Sequence, residues 1–153
     1  MRESQHEVPV VCIVGAGRSG TNFLAHALTV DPRFQNLLEN RYIWNFRQKN
    51  IRTDRRSPLE ATSEVKDFIC QWFASQQEQA GKVLIDKTPG NALRLGFVRE
   101  VLPSVKVINL IRDGRASVYS RKMMWDGEAE TAGKGGAGLG RHLQKFRRMR
   151  AAG

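Results

Sequence analysis

The chain has 153 residues, 41% hydrophobic and 26% charged, which fits one globular domain with a real core. Its net charge of +10 points to an anionic partner, and charge alone does not choose among a nucleotide, a polyanionic glycan, nucleic acid and a membrane surface. No apolar run approaches membrane-spanning length, the start MRESQHE has no signal-peptide core, and Cys12 and Cys70 form neither a CxxC pair nor a Cys/His cluster.

Residues 8–14 are a nearly continuous apolar run rich in β-branched side chains and closed by Gly15, the pattern of a buried parallel strand. Loop 15–20 leads into a helix from Thr21, with Phe23, Leu24, Ala27 and Leu28 on one side and Asp31-Pro32 as its stop. Residues 34–38 read as a short second strand. Residues 41–56 mix aromatic and basic side chains at no clear period and read as loop with one helical turn. Ser57-Pro58 is expected to start a helix, with Ser57 as cap, and Val65, Phe68, Ile69, Trp72 and Phe73 recur at helical spacing until Gly81.

A strand over 83–86 follows. Thr88-Pro89 then opens a helix whose face carries Ala92, Leu95, Val98 and Leu102 before Pro103. Residues 105–111 make a further well-defined strand, and Asp113 starts a helix running to about Trp125. Strands alternating with helices of these lengths predict an α/β domain with a mainly parallel sheet flanked by helices, over residues 1–126. Five of the eight residues 133–140 are glycine, so 127–140 reads as a linker. Residues 141–153, with Arg141, Lys145, Arg147, Arg148 and Arg150, read as a basic helix and the start of a further segment.

The chemistry is concentrated at two strand ends. GAGRSGT (15–21) lies between a buried strand and a helix, where glycines let backbone N–H groups converge and the helix start adds partial positive charge. Gly17, Arg18, Ser19, Gly20, Thr21 and Asn22 are therefore the candidate anion cradle, with Arg18 offering a fixed, bidentate cation. The bland alternative is a tight strand-to-helix turn with no ligand. The ATP-binding pattern GxxxxGK[ST] is not met, because Gly20 is followed directly by Thr21, and the glycine spacing is not GxGxxG. The second cluster, IRDGRASVYSR (111–121), places Arg112 at a strand end and a helix after it with Asp113 as cap.

These segments resemble the sulfotransferase family. GAGRSGTNFL is similar to that family's 5′-phosphosulfate loop, with Gly17 where the family often has proline and Asn22 where it often has a second threonine. IRDGRASVYS resembles its 3′-phosphate motif, with Arg112 and Ser120 at the two matching positions. Asp86-Lys87-Thr88-Pro89 resembles a segment of Golgi-type and bacterial carbohydrate and protein sulfotransferases. The resemblance covers about residues 8–125. It implies a P-loop-like fold, the donor 3′-phosphoadenosine 5′-phosphosulfate (PAPS) and no metal. It also implies Lys87 on the acceptor side and Glu39, in Glu39-Asn40-Arg41-Tyr42, as the base that takes the acceptor proton. His26 and His6 are badly placed for that role, and a solvated loop carboxylate is the plain alternative for Glu39.

Family members generally continue beyond a helix like 141–150, so the fold is expected to be incomplete at its C-terminus. The acceptor, whether glycan, protein tyrosine, lipid or small alcohol, is not legible. Two other readings stay open. One is a P-loop-type kinase or NTPase, with Asp86 offered for Mg²⁺. The other is an inactive anion-binding fragment, although one aromatic, Phe146, in the basic tail argues against nucleic acid. Taken as it stands, the chain is expected in a reducing, cytoplasmic compartment with two buried thiols.

Overall fold

A computed structural model of the chain describes residues 8–133, with side chains as far as Trp125. The chain divides into two units, Met1–Arg112 and Asp113–Gly153. The first contains four strands, β1 (Val10–Gly15), β2 (Phe34–Asn36), β3 (Val83–Asp86) and β4 (Lys106–Leu110). They form one sheet in the order β2-β3-β1-β4, and every pairing is parallel. All four carboxyl ends therefore lie along one edge of the sheet, where an open α/β sheet gathers its functional groups. The register sets Cys12 beside Asp86 and Gly15 beside Leu110.

Alternation along the strands divides the core between two faces. Val10, Cys12 and Leu84 point to the side covered by α2 (Arg41–Trp44), α3 (Ser63–Gln76) and α4 (Leu95–Val101). There Ile43, Trp44, Ile69, Phe73, Phe97 and Val98 are almost fully buried. Ile13 and Ile85 point to the other side, against Ala25, Leu24 and Leu28 of α1 (Thr21–Leu28). Both central strands are thus apolar on both faces, which explains their unbroken hydrophobic runs.

The helix boundaries correct the sequence reading at two points. Ser57 does cap, in a reciprocal capping box with Glu60, but it closes only a 3₁₀ turn over Pro58–Glu60. The helix proper starts at Ser63, where the Thr62 hydroxyl accepts from the Val65 N–H, and it ends at Gln76, short of Gly81. Likewise Thr88-Pro89 opens a 3₁₀ turn, Pro89–Leu93, and α4 begins only after Arg94. The buried face of α4 is accordingly Phe97, Val98, Val101 and Leu102, while Ala92 is exposed.

In the second unit, α5 spans Gly114–Gly133. Asp113 caps it as expected, its Oδ1 accepting from the N–H groups of Arg115 (2.8 Å) and Ala116 (3.2 Å). Residues 127–133, read above as the start of a linker, continue this helix, since Glu128, Ala129, Glu130 and Ala132 are good helix formers. The rest of the glycine-rich stretch and the basic helix over 141–153 lie outside the described residues.

Candidate functional site

The loop after β1 is built by glycine at two places. Gly20, the residue before α1, has φ of 102°, which L side chains rarely adopt. At Gly15 the chain leaves the sheet so close to β4 that a Cβ would lie 2.6 Å from the Leu110 carbonyl oxygen and 2.9 Å from Ser19 Oγ. Between them Arg18 has a positive φ of 70°, and the Ser19 N–H returns to the Ala16 carbonyl at 3.1 Å. Gly20 has no side chain with which to cap α1, and the first-turn N–H groups of a helix have no intrahelical acceptor.

Ser19 Oγ is buried and makes no hydrogen bond among the described residues. A buried hydroxyl without a partner costs free energy unless something binds it. Together with the helix-start amides and the exposed Arg18, it fits an anionic oxygen-rich group such as a phosphate or sulfate. Thr21 is buried and Asn22 exposed at the entry to α1. Arg112, just past β4, donates from Nη1 to the Arg18 carbonyl at 2.9 Å and so ties this loop to the neighbouring strand end.

The second half of the site lies at the ends of β2 and β3. Lys87 Nζ donates to Glu39 Oε2 at 3.1 Å, the lysine side chain being buried and the glutamate half-exposed. Glu39 and Lys87, which with Arg18 are the three residues expected to act chemically, are therefore in direct contact though far apart in sequence. Their backbones are joined as well. The Lys87 N–H donates to the Leu38 carbonyl at 3.1 Å, and the Asn40 N–H donates to Thr88 Oγ1 at 3.3 Å. Leu38 sits at φ of 63°, with its N–H on Asn36 Oδ1, so the 36–40 segment is a tight turn.

Asp86 is fully buried beneath this turn. It accepts from Trp44 Nε1 (2.7 Å), Thr88 Oγ1 (2.6 Å), Asn91 Nδ2 (3.0 Å) and, weakly, Cys12 Sγ (3.7 Å). Burial pushes its carboxyl up, and the bonds from Thr88, Trp44 and Cys12 pull it back. Its oxygens are thus occupied by structural donors rather than turned outward, which removes the Mg²⁺ role offered for it above. Asn91 in turn accepts from Arg94 Nε, and Arg94 reaches Asn45 Oδ1 at 2.6 Å with 1% of its surface exposed. Burial lowers the Arg94 guanidinium to about 10, so it stays cationic.

Sequence reasoning missed Trp44, Asn91 and Arg94 as members of this network. Trp44 is a core aromatic and Asn91 and Arg94 are turn residues, and none carries a local sign of its polar partner. Cys12 follows from the same geometry. Burial first, then the adjacent Asp86 carboxylate, raise its thiol well above the usual range. In the folded protein Cys12 is expected to resist maleimide for as long as the fold persists, and half-buried Cys70 to react first. Mass-spectrometric mapping of the labelled sites over time checks this, and early labelling of Cys12 would contradict the buried placement.

Among the described residues no group of three or more His, Cys, Asp and Glu side chains could hold a metal ion, and no helix is long and apolar enough to cross a membrane. An open groove of about 830 Å³ is lined by Arg47, Lys49, Arg55, Arg56, Glu60 and Glu64 among others. Its charges are largely paired internally, Arg47 with Glu64 and Arg56 with Glu60. It shares no residue with the site.

The sulfotransferase family model matches residues 9–153, nearly the whole chain. The chain belongs to the sulfotransferase family. Among its curated relatives, human protein-tyrosine sulfotransferase 1 is 27% identical over 128 residues, covering 74% of this chain and 34% of the human protein. The zebrafish (Danio rerio) protein-tyrosine sulfotransferase 1 is 27% identical over 128 residues, with 74% and 35% covered. The chicken (Gallus gallus) protein-tyrosine sulfotransferase 2 is 26% identical over 126 residues, with 74% and 34% covered. The chain thus spans about a third of the length of the curated relatives it matches.

For this sulfotransferase-family chain, the structure places Gly17, Arg18, Ser19, Gly20, Thr21 and Asn22 in one loop and helix start, brings Arg112 onto that loop, and pairs Lys87 with Glu39. Ser120 lies in α5, in the second unit.

Proposed function

We propose that this chain is the donor-binding part of a sulfotransferase that moves a sulfuryl group from PAPS to a hydroxyl acceptor. The observation that carries the proposal is the Glu39–Lys87 pair, which stands at the carboxyl edge of the sheet that also bears the glycine loop. When bound, PAPS supplies the sulfuryl group and a nucleotide leaving group. The loop amides and the Ser19 hydroxyl are the groups suited to its phosphosulfate end, with Arg18 offering charge to oxygens that grow more negative during transfer. Glu39 takes the proton from the acceptor hydroxyl, and Lys87 holds that carboxylate in place and offers N–H donors on the acceptor side. Arg112 serves the 3′-phosphate. The assignment of Ser120 to the same phosphate rests on the sequence motif.

The relatives' names make protein tyrosine the first acceptor to test. Full-length protein should transfer labelled sulfate from PAPS to a tyrosyl peptide and not to its phenylalanine counterpart. Transfer to neither a tyrosyl peptide nor any glycan or small alcohol would contradict the proposal. Arg112→Ala is expected to weaken binding of adenosine 3′,5′-bisphosphate (PAP) about 10–100-fold and that of ADP little, the scale of one lost charge-assisted contact. Calorimetric titration of both nucleotides checks it. Equal losses would return Arg112 to its one observed role, holding the Arg18 carbonyl.

A further inference from the structure

We infer that Thr88 is a positioning residue that fixes Glu39 for proton transfer, an inference that rests on the reading of Glu39 as the base. A threonine hydroxyl has one proton and two lone pairs. Here the proton is committed to Asp86 Oδ1 at 2.6 Å, inside a site where Thr88 is 1% exposed and Asp86 fully buried. Only the two lone pairs remain as hydrogen-bonding capacity, and the Asn40 N–H donates to the hydroxyl oxygen at 3.3 Å. On the other side of Glu39, the Leu38 carbonyl accepts from the Lys87 N–H. The residues directly before and after Glu39 are therefore each bonded to consecutive residues of one segment, Lys87 and Thr88.

That bracketing adds to the turn's own two bonds, the Leu38 N–H on Asn36 Oδ1 and Asn40 Nδ2 on the Leu37 carbonyl, by tying the turn to the strand end beside it. Leu38 has φ of 63°, sparsely populated for a branched side chain, and such a conformation persists only where its surroundings over-determine it. Glu39 is half-exposed, and among the described residues its carboxylate has one bond, to Lys87 Nζ. Its direction is thus set chiefly by the backbone that carries it. Asp86 is the fixed point. Trp44 Nε1, Asn91 Nδ2 and Thr88 Oγ1 all converge on it, and the hydroxyl relays its rigidity from the core to the turn. Valine at 88 keeps the shape and loses both bonds, whereas serine keeps both.

The test is made on the full-length protein with PAPS and its acceptor. Thr88→Val is expected to lower kcat about 10–100-fold, since a base displaced by about an ångström loses on that order. KM for PAPS and affinity for PAP should stay within about twofold, and Thr88→Ser should restore most of the rate. The decisive readout is the double variant. Placed on Glu39→Gln, Thr88→Val should cost almost nothing further, because it acts through a base already removed. Amide hydrogen exchange gives an arm independent of activity. The Asn40 N–H should be protected in the parent and in Thr88→Ser, and lose that protection in Thr88→Val.

Full kcat in Thr88→Val, a multiplicative loss in the double variant, or an unprotected Asn40 amide in the parent would each overturn the inference while leaving the base assignment standing. If Thr88→Val fails to fold, the parent's Asn40 exchange and the Thr88→Ser rate still decide. Near-normal turnover in Glu39→Gln alone would instead remove the base assignment, and this inference with it.

Discussion

Glu39→Gln is expected to cut sulfate transfer by about 10²–10⁴-fold, the usual contribution of a general base, with PAP affinity unchanged within about twofold. Glutamine keeps the volume of the side chain, and its amide oxygen can still accept from Lys87 Nζ, which now lies 3.1 Å from Glu39 Oε2. What it cannot do is carry away the acceptor's proton. The glycine loop and Arg112 are untouched, so donor binding should not follow the loss. Steady-state kinetics with PAPS and a tyrosyl peptide, beside PAP calorimetry, measure both quantities. Near-normal turnover would leave Glu39 as the surface partner of a buried lysine and send the search for a base elsewhere.

Gly15→Ala should remove PAP binding and destabilise the fold together. Its Cβ would meet the Leu110 carbonyl oxygen at 2.6 Å and Ser19 Oγ at 2.9 Å, distances that backbone cannot accommodate without moving β4 away from β1. The φ of 151° adds strain for any L side chain. Overpacking of this kind costs about 1–3 kcal/mol, and the displacement falls on the turn that presents Ser19 and Arg18. Gly114→Ala is the control, because a Cβ there meets nothing within 4 Å. A melting scan and PAP titration of the two variants should separate them. Gly15→Ala with parental melting and parental affinity would mean the loop does not pass β4 this closely.

Much of the fold was legible because apolar periodicity reports burial. β3 was read with both its ends in place, and β1 and β4 to within two residues. Val8 and Val105 extended those runs because they pack against the core outside the strands. The helix after Ser57 was misplaced for a physical reason. The structure uses two caps five residues apart, Ser57 and Thr62, the first for a 3₁₀ turn whose Pro58 ring lies against Gly96 of α4. Local signals mark where a turn of helix can start, and packing decides whether it continues.

The site divides the same way. Gly17 to Thr21 and Arg112 stand out in the sequence as glycine and fixed charge at strand ends, whereas Asn22 and Lys87 were marked by the resemblance to sulfotransferase segments. That Glu39 meets Lys87, 48 residues away, needed the sheet order. The support beneath them was silent. Trp44 reaches Asp86 across 42 residues, and Arg94 reaches Asn45 across 49, contacts that no local window of sequence contains.

The central claim is that the loop and Arg112 make a site for a nucleotide bearing a 3′-phosphate. Isothermal titration of the full-length protein with PAP, beside ADP and ATP–Mg²⁺, tests it most directly. PAP is expected to bind at least tenfold more tightly than ADP, with no requirement for Mg²⁺. Equal affinity for PAP and ADP, or tight binding of ATP that depends on Mg²⁺, would contradict the claim and favour a phosphoryl-transfer enzyme instead.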